Sequence, residues 1–258
     1  MDFFLSADWL HQGGSYWFRW DHLLFVFLFI GLGILSAILL RKKDKKFVHK
    51  VLIILYVIAT VTEMSWFIVK WVASGVDPVN HPFLIDYMIP LHSCFVFMYI
   101  CPFALFSKNK IIRTASSNFI VIVNMIMGFI TLFVGCPIKG YSALSFGGFI
   151  SIFYHALIVI IPLIMIVTKY YDIKKEDIKY GLSLFGILAL AVYIFDVITK
   201  ADYFYLYDGH CFGILYEISE HVPHIVWTLI VVSCYVITAF IVHFFVVSLK
   251  WYLINKKK

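Results

Sequence analysis

The chain has 258 residues, of which 62% are hydrophobic and 14% are charged, and its formal net charge at pH 7 is +6. Soluble domains carry roughly 25% charged residues, and a fold of this length has too little interior to hide so much apolar surface from water. The composition therefore excludes an ordinary soluble domain and predicts an all-α integral membrane protein whose helices face lipid.

Seven apolar stretches recur along the chain, each long enough to cross a ~30 Å hydrocarbon core at ~1.5 Å of rise per residue. The stretches are continuous rather than alternating, which predicts helices and not the strands of a barrel. The predicted membrane-spanning helices cover residues 21–40, 50–73, 84–106, 118–136, 147–168, 179–199 and 224–248. They are expected to form one domain, 1–258, with the outer connection 200–223 as a candidate cap over the bundle.

The basic residues predict the orientation of this bundle. With the N-terminus outside and the C-terminus inside, 17 of the 21 Lys and Arg residues lie in inner segments, and the other four are Arg19, Lys70, Lys139 and Lys200. Inner connections of membrane proteins carry this excess of positive charge. We therefore expect a multi-pass protein of the cell membrane whose inner face attracts anionic lipid headgroups. No clustered basic module that would bind nucleic acid is predicted.

Polar side chains interrupt the predicted spans, where they are costly and usually face the bundle interior. The interesting ones are Glu63, His92, Cys94, Asn124, His155 and Asp196. Counted from the outer end of each span, Glu63 and Cys94 lie ~15 Å deep, His155 ~12 Å and Asn124 ~18 Å. This common depth predicts one polar site inside the bundle, with Asp196 nearer its outer mouth.

The segment MIPLHSCFVF, residues 88–97, places a reactive side chain beside a helix-breaking one. Pro90 removes a backbone hydrogen bond and opens the predicted helix above Cys94. A thiol becomes a strong nucleophile when a base takes its proton, and His155 is the candidate base because its depth matches. Glu63 or Asn124 is then a candidate to orient the imidazole.

The residues alone leave simpler explanations open. A cysteine in a membrane helix is often a small apolar packing residue. His92 is about 200° around the helix from Cys94, so a separate structural or polar-network role is predicted for it. The five cysteines give no disulfide framework, and both a Cys136–Cys211 bridge and two free thiols remain open on the outer side.

The segment IPLHSC, residues 89–94, resembles the LPLHxC signature of YwaF-like bacterial integral membrane proteins. These are similar to the animal transmembrane protein 164, described as a lipid acyltransferase. Further matches, together with the seven spans, are FYH at 153–155, Glu63 with Trp66, and ADYFYL at 201–206. The resemblance covers most of the chain.

Two positions depart from the family pattern. Ile89 stands where leucine is usual, and Asp202 stands where an asparagine precedes the tyrosine. Neither change touches the cysteine or the histidine, although the second puts any role of the outer loop in doubt.

The resemblance implies that Cys94 accepts the acyl group and that His155 is the base. A distant similarity to intramembrane fatty-acid-ester hydrolases, in which threonine is the nucleophile, supports a lipid ester as substrate. We expect a phospholipid or other acyl ester to enter from the outer leaflet and acylate Cys94. A lysolipid hydroxyl or water then accepts the acyl group, and no cofactor is needed. Asn124, His92 or Ser93 is a candidate to stabilise the oxyanion. The oligomeric state stays open.

Two functions of other classes also remain open. A transporter or channel would use Glu63, His155, Asp196 and Asp86 as an ion or proton path and would need no cysteine. A metal site is suggested by the segment EISEHVPH, in which Glu217 with His221 and Glu220 with His224 have i, i+4 spacing. Pro223 interrupts that segment, so no metal is assigned.

Overall fold

The computed structural model describes residues 19–74, 91–134, 143–207 and 213–255. The helices within these residues are α1 (Trp20–Leu40), α2 (Lys45–Ser74), α3 (Val96–Phe106), α4 (Lys110–Phe119), α5 (Met125–Val134), α6 (Phe146–Val167), α7 (Ile178–Thr199), α8 (Gly213–His221) and α9 (His224–Asn255). A π-helical segment, Ile120–Asn124, joins α4 to α5, and 3₁₀ turns at Lys175–Asp177 and Tyr203–Tyr205 flank α7.

Six segments among the described residues are long and apolar enough to cross a membrane. They are Trp20–Leu40, Lys45–Val69, Lys110–Phe133, Phe146–Val167, Lys175–Thr199 and His224–Lys250. The predicted all-helical, multi-pass membrane protein is therefore confirmed. The third predicted span, 84–106, overlaps the shorter helix α3, and residues 84–90 lie outside the described residues. The count of seven and the orientation of the termini stay predictions.

Two helices begin several residues before the apolar stretches that predict them, because capping side chains set their first turns. The Asn109 side chain accepts hydrogen bonds from the Ile111 and Ile112 N–H groups at 2.8 and 3.2 Å, at the start of α4. Asp44 accepts the Phe47 N–H at 2.9 Å, at the start of α2. Such caps satisfy N–H groups that have no partner inside the helix. Hydropathy alone therefore places these helix starts too late.

The chain divides into two compact units, one of residues 1–90 and 125–170 and one of residues 91–124 and 171–258. In the first unit α6 is central, and α1, α2 and α5 all pack against it. Glycines allow close approach at these crossings. A Cβ on Gly33 of α1 would lie 2.3 Å from Cγ1 of Ile160, and one on Gly147 would lie 2.5 Å from the Trp66 ring. Small residues at such crossings let membrane helices pack closely.

In the second unit α7 and α3 pack against α4, while α9 packs against the π-helical segment. A polar network ties the loop before α7 to these helices. The Tyr171 hydroxyl donates to the Asp177 carboxylate at 2.8 Å, and Asn118 donates to the Tyr171 oxygen at 3.3 Å. Burial, reinforced by Asp177, raises the pKa of the Tyr171 phenol. The phenol thus keeps its proton and remains a donor at neutral pH.

His243 of α9 joins this network from the other side. Its Nε2 lies 3.2 Å from the Lys175 carbonyl oxygen and its Nδ1 lies 3.1 Å from Asn118 Nδ2. Because a carbonyl oxygen only accepts, Nε2 carries the proton and Nδ1 accepts from the Asn118 amide. His243 is therefore a structural link between α9, α4 and the loop before α7.

The close contact of α1 with α6 gives a first prediction. Gly33→Ala is expected to destabilise the protein by about 1–3 kcal/mol, because the new methyl group overlaps Ile160. The measurement is thermal unfolding in detergent, with Gly31→Ala as the matched control, since a Cβ there meets nothing within 4 Å. Ile160→Ala is expected to cost less stability in the Gly33→Ala protein than in the wild type, because the new methyl group occupies part of the space that the isoleucine leaves. Equal melting temperatures for the two single variants would contradict the packing described.

Candidate functional site

Cys94 lies in a buried turn that leads into α3. The Phe95 and Val96 N–H groups both bond to the His92 carbonyl oxygen, at 2.8 and 3.1 Å. Ser93 is 2% exposed and Cys94 is 8% exposed. Regular helix begins only at Val96. The sequence predicts a helix over 84–106 that Pro90 opens, and the structure places Cys94 in a turn before the helix rather than within it.

Asn124 fixes this turn from the neighbouring π-helical segment. Its Nδ2 donates a hydrogen bond of 2.6 Å to the Ser93 carbonyl oxygen, and the residue is completely buried. A π-helical segment adds a residue to the turn and redirects its side chains, often at functional sites. The amide oxygen of Asn124 has no hydrogen-bond partner among the described residues. An acceptor is therefore left open beside the turn that carries Cys94.

Tyr235 approaches the same turn from α9. Its hydroxyl lies beside the Ser93 side chain. The residue is 7% exposed, and its hydroxyl completes no hydrogen bond of good geometry with any described residue. Buried hydroxyl groups almost always have a partner. The second unit thus brings together a thiol, an amide oxygen and a phenol around one turn.

A short loop after α7 covers His92. Residues 201–206 are almost entirely buried, and Phe204 and Tyr205 both have left-handed backbone, with φ of 58° and 59°. Left-handed backbone is unfavourable for residues other than glycine, so surrounding bonds must hold it. The Asp196 carboxylate accepts the Tyr203 N–H at 3.1 Å, and Trp227 donates to the Tyr205 carbonyl at 2.9 Å.

His92 and the loop form an aromatic group. The His92 ring centroid lies 5.0 Å from that of Tyr203 and 5.7 Å from that of Tyr205. Asp202 accepts the Tyr207 N–H at 2.9 Å. The structural or polar-network role predicted for His92 stays a prediction. Asp196 anchors the loop through the Tyr203 N–H. The aspartate at 202, which departs from the family pattern, also holds the loop backbone.

His155 and Glu63 belong to the first unit, whereas Cys94 belongs to the second. His155 lies on α6, is 4% exposed, and has its Nδ1 2.7 Å from the Ser151 carbonyl oxygen. Because the carbonyl only accepts, Nδ1 carries the proton in the neutral ring and Nε2 holds a lone pair. Glu63 lies on α2 and is 2% exposed. The common depth predicted for these residues, Cys94 and Asn124 stays a prediction.

The model of the TMEM164 family matches residues 17–245. The chain belongs to the TMEM164 family. No curated protein and no solved structure matches it. The family match extends from before α1 into α9, so it includes every residue described around Cys94 as well as His155 and Glu63.

The sequence of this TMEM164 family member also suggested a metal site, a disulfide bridge and an ion path. No cluster of three or more metal-binding side chains is found within the described part of the chain. His221 Nδ1 bonds to the Glu217 carbonyl oxygen at 2.6 Å, and His224 Nδ1 bonds to the Tyr207 carbonyl oxygen at 3.0 Å. Cys136, Cys211 and Asp86 lie outside the described residues.

Sequence reasoning missed Tyr235 in this TMEM164 family member. A signal was present, because tyrosines of membrane helices concentrate at the water interface. Tyr235 instead lies in the interior of a predicted span, 224–248. A polar hydroxyl at such a position points to an interior partner.

The loop anchor gives a second prediction. Asp196→Ala is expected to destabilise the protein by about 1–3 kcal/mol, because the buried Tyr203 N–H loses its acceptor. The measurement is thermal unfolding followed by tryptophan fluorescence. Asp172→Ala is the control, because Asp172 pairs with Lys250 at 2.6 Å but is 56% exposed, and exposed pairs contribute little. An Asp196→Ala protein as stable as the Asp172→Ala protein would contradict the anchoring role.

Proposed function

We propose that this protein is an intramembrane lipid acyltransferase or acyl-ester hydrolase in which Cys94 is the nucleophile and His155 the general base. The observation that carries the proposal is the buried turn around Cys94. Beside it lie polar atoms of Asn124 and Tyr235 that have no hydrogen-bond partner of good geometry among the described residues. A cysteine that only fills space needs no such surroundings, whereas an acyl ester offers a carbonyl and hydroxyl groups to them.

The state of His155 supports its part in the proposal. The Ser151 carbonyl fixes the proton on Nδ1, which leaves Nε2 as the nitrogen that accepts a proton. The same arrangement orients the base in other nucleophilic enzymes, where a second group holds the far nitrogen. The pairing of His155 with Cys94 is itself part of the proposal, since the two residues belong to different units of the chain.

The reaction proceeds in two balanced steps. His155 Nε2 takes the thiol proton, and the sulfur attacks the ester carbonyl to form a tetrahedral oxyanion. The oxyanion collapses, the C–O bond breaks, and the leaving alkoxide takes the proton from the imidazolium. A second alcohol, or water, then attacks the thioester while His155 accepts its proton. The C–S bond breaks and the thiolate regains the proton.

The substrate in this proposal is a phospholipid or lysolipid that enters from the bilayer. Family membership, the membrane-spanning helices and the resemblance to lipid acyltransferases support this substrate class. The lysine-rich connections between helices suit anionic headgroups at the inner face of a cell membrane.

Within this mechanism the remaining candidates have distinct tasks. The free oxygen of Asn124 accepts a hydrogen bond, so it suits a substrate hydroxyl and would repel an oxyanion. His92 and Asp196 position the turn and the loop, and Glu63 is a candidate partner for His155. Asp196 accepts the Tyr203 N–H, so one carboxylate of the alternative ion path is engaged in holding the loop.

The nucleophile gives a third prediction. An alkyne-tagged fatty-acyl p-nitrophenyl ester is expected to label the wild-type protein, and neutral hydroxylamine is expected to remove the label because it cleaves thioesters. Cys94→Ala should abolish labelling. Cys101→Ala is the matched control, because Cys101 is also a buried thiol and lies on the adjoining helix. Undiminished labelling of the Cys94→Ala protein would rule out Cys94 as the acyl acceptor.

The base gives a fourth prediction. His155→Gln is expected to lower the rate of acylation by about 10²–10⁴, the usual contribution of a general base. Raising the pH should recover part of the rate, because a larger fraction of the thiol then ionises without help. His49→Gln, which changes a histidine hydrogen-bonded to Tyr170, is the control. Equal rates and equal pH profiles for the two variants would exclude His155 as the base.

A further inference from the structure

We propose that Tyr235 is a catalytic residue of this site and that its hydroxyl donates a hydrogen bond to the oxyanion formed when Cys94 attacks an ester. This inference rests on the proposed acyl chemistry and adds a residue to it. The reason is the combination of two facts. The hydroxyl lies next to the Ser93–Cys94 turn, and it has no hydrogen bond of good geometry with the described residues.

The other groups near the turn are less suited to an oxyanion. Asn124 directs one N–H to the Ser93 carbonyl, and its free atom is an oxygen. The ring of His92 packs against Tyr203 and Tyr205. A phenol keeps its proton at neutral pH and carries one O–H donor. The Ser93 hydroxyl lies beside that of Tyr235. Compared with Asn124 and His92, Tyr235 therefore offers an O–H donor that completes no hydrogen bond of good geometry with the described residues.

The packing of the Tyr235 ring holds this donor in place. Its centroid lies 5.2 Å from that of Phe185 and 6.1 Å from that of Phe204. Both phenylalanines are buried, and Phe204 has the left-handed backbone of the loop. A donor fixed before the reaction stabilises an oxyanion more than one that must first be ordered. The unusual loop thus contributes to catalysis by positioning Tyr235.

The Tyr235 hydroxyl acts during the attack of Cys94 on the ester carbonyl. The Cys94 sulfur forms a bond to the carbonyl carbon, and the electron pair of the C=O π bond moves to the oxygen. The Tyr235 O–H bonds to that oxygen without transferring its proton. When the oxyanion collapses, the C–O bond to the leaving group breaks and the thioester remains.

The test compares two reactions of the same thiol. The acylation rate is measured from the release of p-nitrophenolate by p-nitrophenyl octanoate, with the adduct on Cys94 confirmed by mass. The alkylation rate is measured with iodoacetamide, which displaces iodide and forms no oxyanion. Tyr235→Phe is expected to lower acylation by about 10²–10³, the effect of losing one oxyanion donor, and to change alkylation by less than about threefold. Tyr99→Phe is the matched control, because Tyr99 is 47% exposed.

Each result decides the inference. A fall in the rates of both acylation and alkylation would mean that Tyr235 only maintains the turn. An unchanged acylation rate would mean that its hydroxyl is not used. Either result overturns the inference and leaves Cys94 as nucleophile. A wild-type protein that forms no adduct on Cys94 overturns the proposed function and this inference together. Replacement of Tyr235 by 4-aminophenylalanine retains an N–H donor at the same place. The acylation rate of this variant should be at least tenfold higher than that of Tyr235→Phe. If the 4-aminophenylalanine variant acylates no faster than Tyr235→Phe, the inference is wrong. If Tyr235→Phe does not fold, an acylation rate of the 4-aminophenylalanine variant below 1% of the wild-type rate would likewise overturn the inference.

Discussion

The hydrogen bond from Asn124 to the Ser93 carbonyl joins the turn that carries Cys94 to the π-helical segment. A buried backbone carbonyl outside a helix needs a hydrogen-bond partner from its surroundings. The 2.6 Å bond supplies one. It also holds the Asn124 side chain against this turn, while α9 brings in Tyr235. This buried, non-helical turn is thus stabilised by one of the side chains that make its surroundings polar.

The loop at 201–206 follows the same physical rule. Its backbone is neither helical nor exposed, so side chains must satisfy it, and Asp196, Trp227 and Thr228 do so. Left-handed residues at Phe204 and Tyr205 are then tolerated because these bonds determine their geometry. In the proposed mechanism this fixed loop holds the phenol of Tyr235, so local backbone strain and catalysis are connected through one aromatic contact.

The sequence was most informative where composition decides. Long apolar stretches predicted the helices well, because lipid requires that each helix satisfy its own backbone. It failed where a local side chain sets a boundary, as Asn109 does for α4, and where the chain leaves the helix, as around Cys94. Periodicity carries no information about such turns. The burial of Asn124 and His155 was foreseeable from their type and position, but the carbonyl partners of these side chains were not, since any backbone oxygen looks alike in the sequence.

The account rests on one covalent intermediate, an acyl group on the sulfur of Cys94. The reaction of purified protein in phosphatidylcholine vesicles can be quenched with acid during turnover. The protein is then digested, and the mass of the peptide that contains Cys94 is measured by mass spectrometry. The account predicts a fatty-acyl mass on that peptide, removed by neutral hydroxylamine. Withholding lysolipid slows the transfer of the acyl group from Cys94 to an acceptor. If lipid turnover proceeds and the peptide stays unmodified even under that condition, the proposed intermediate is wrong.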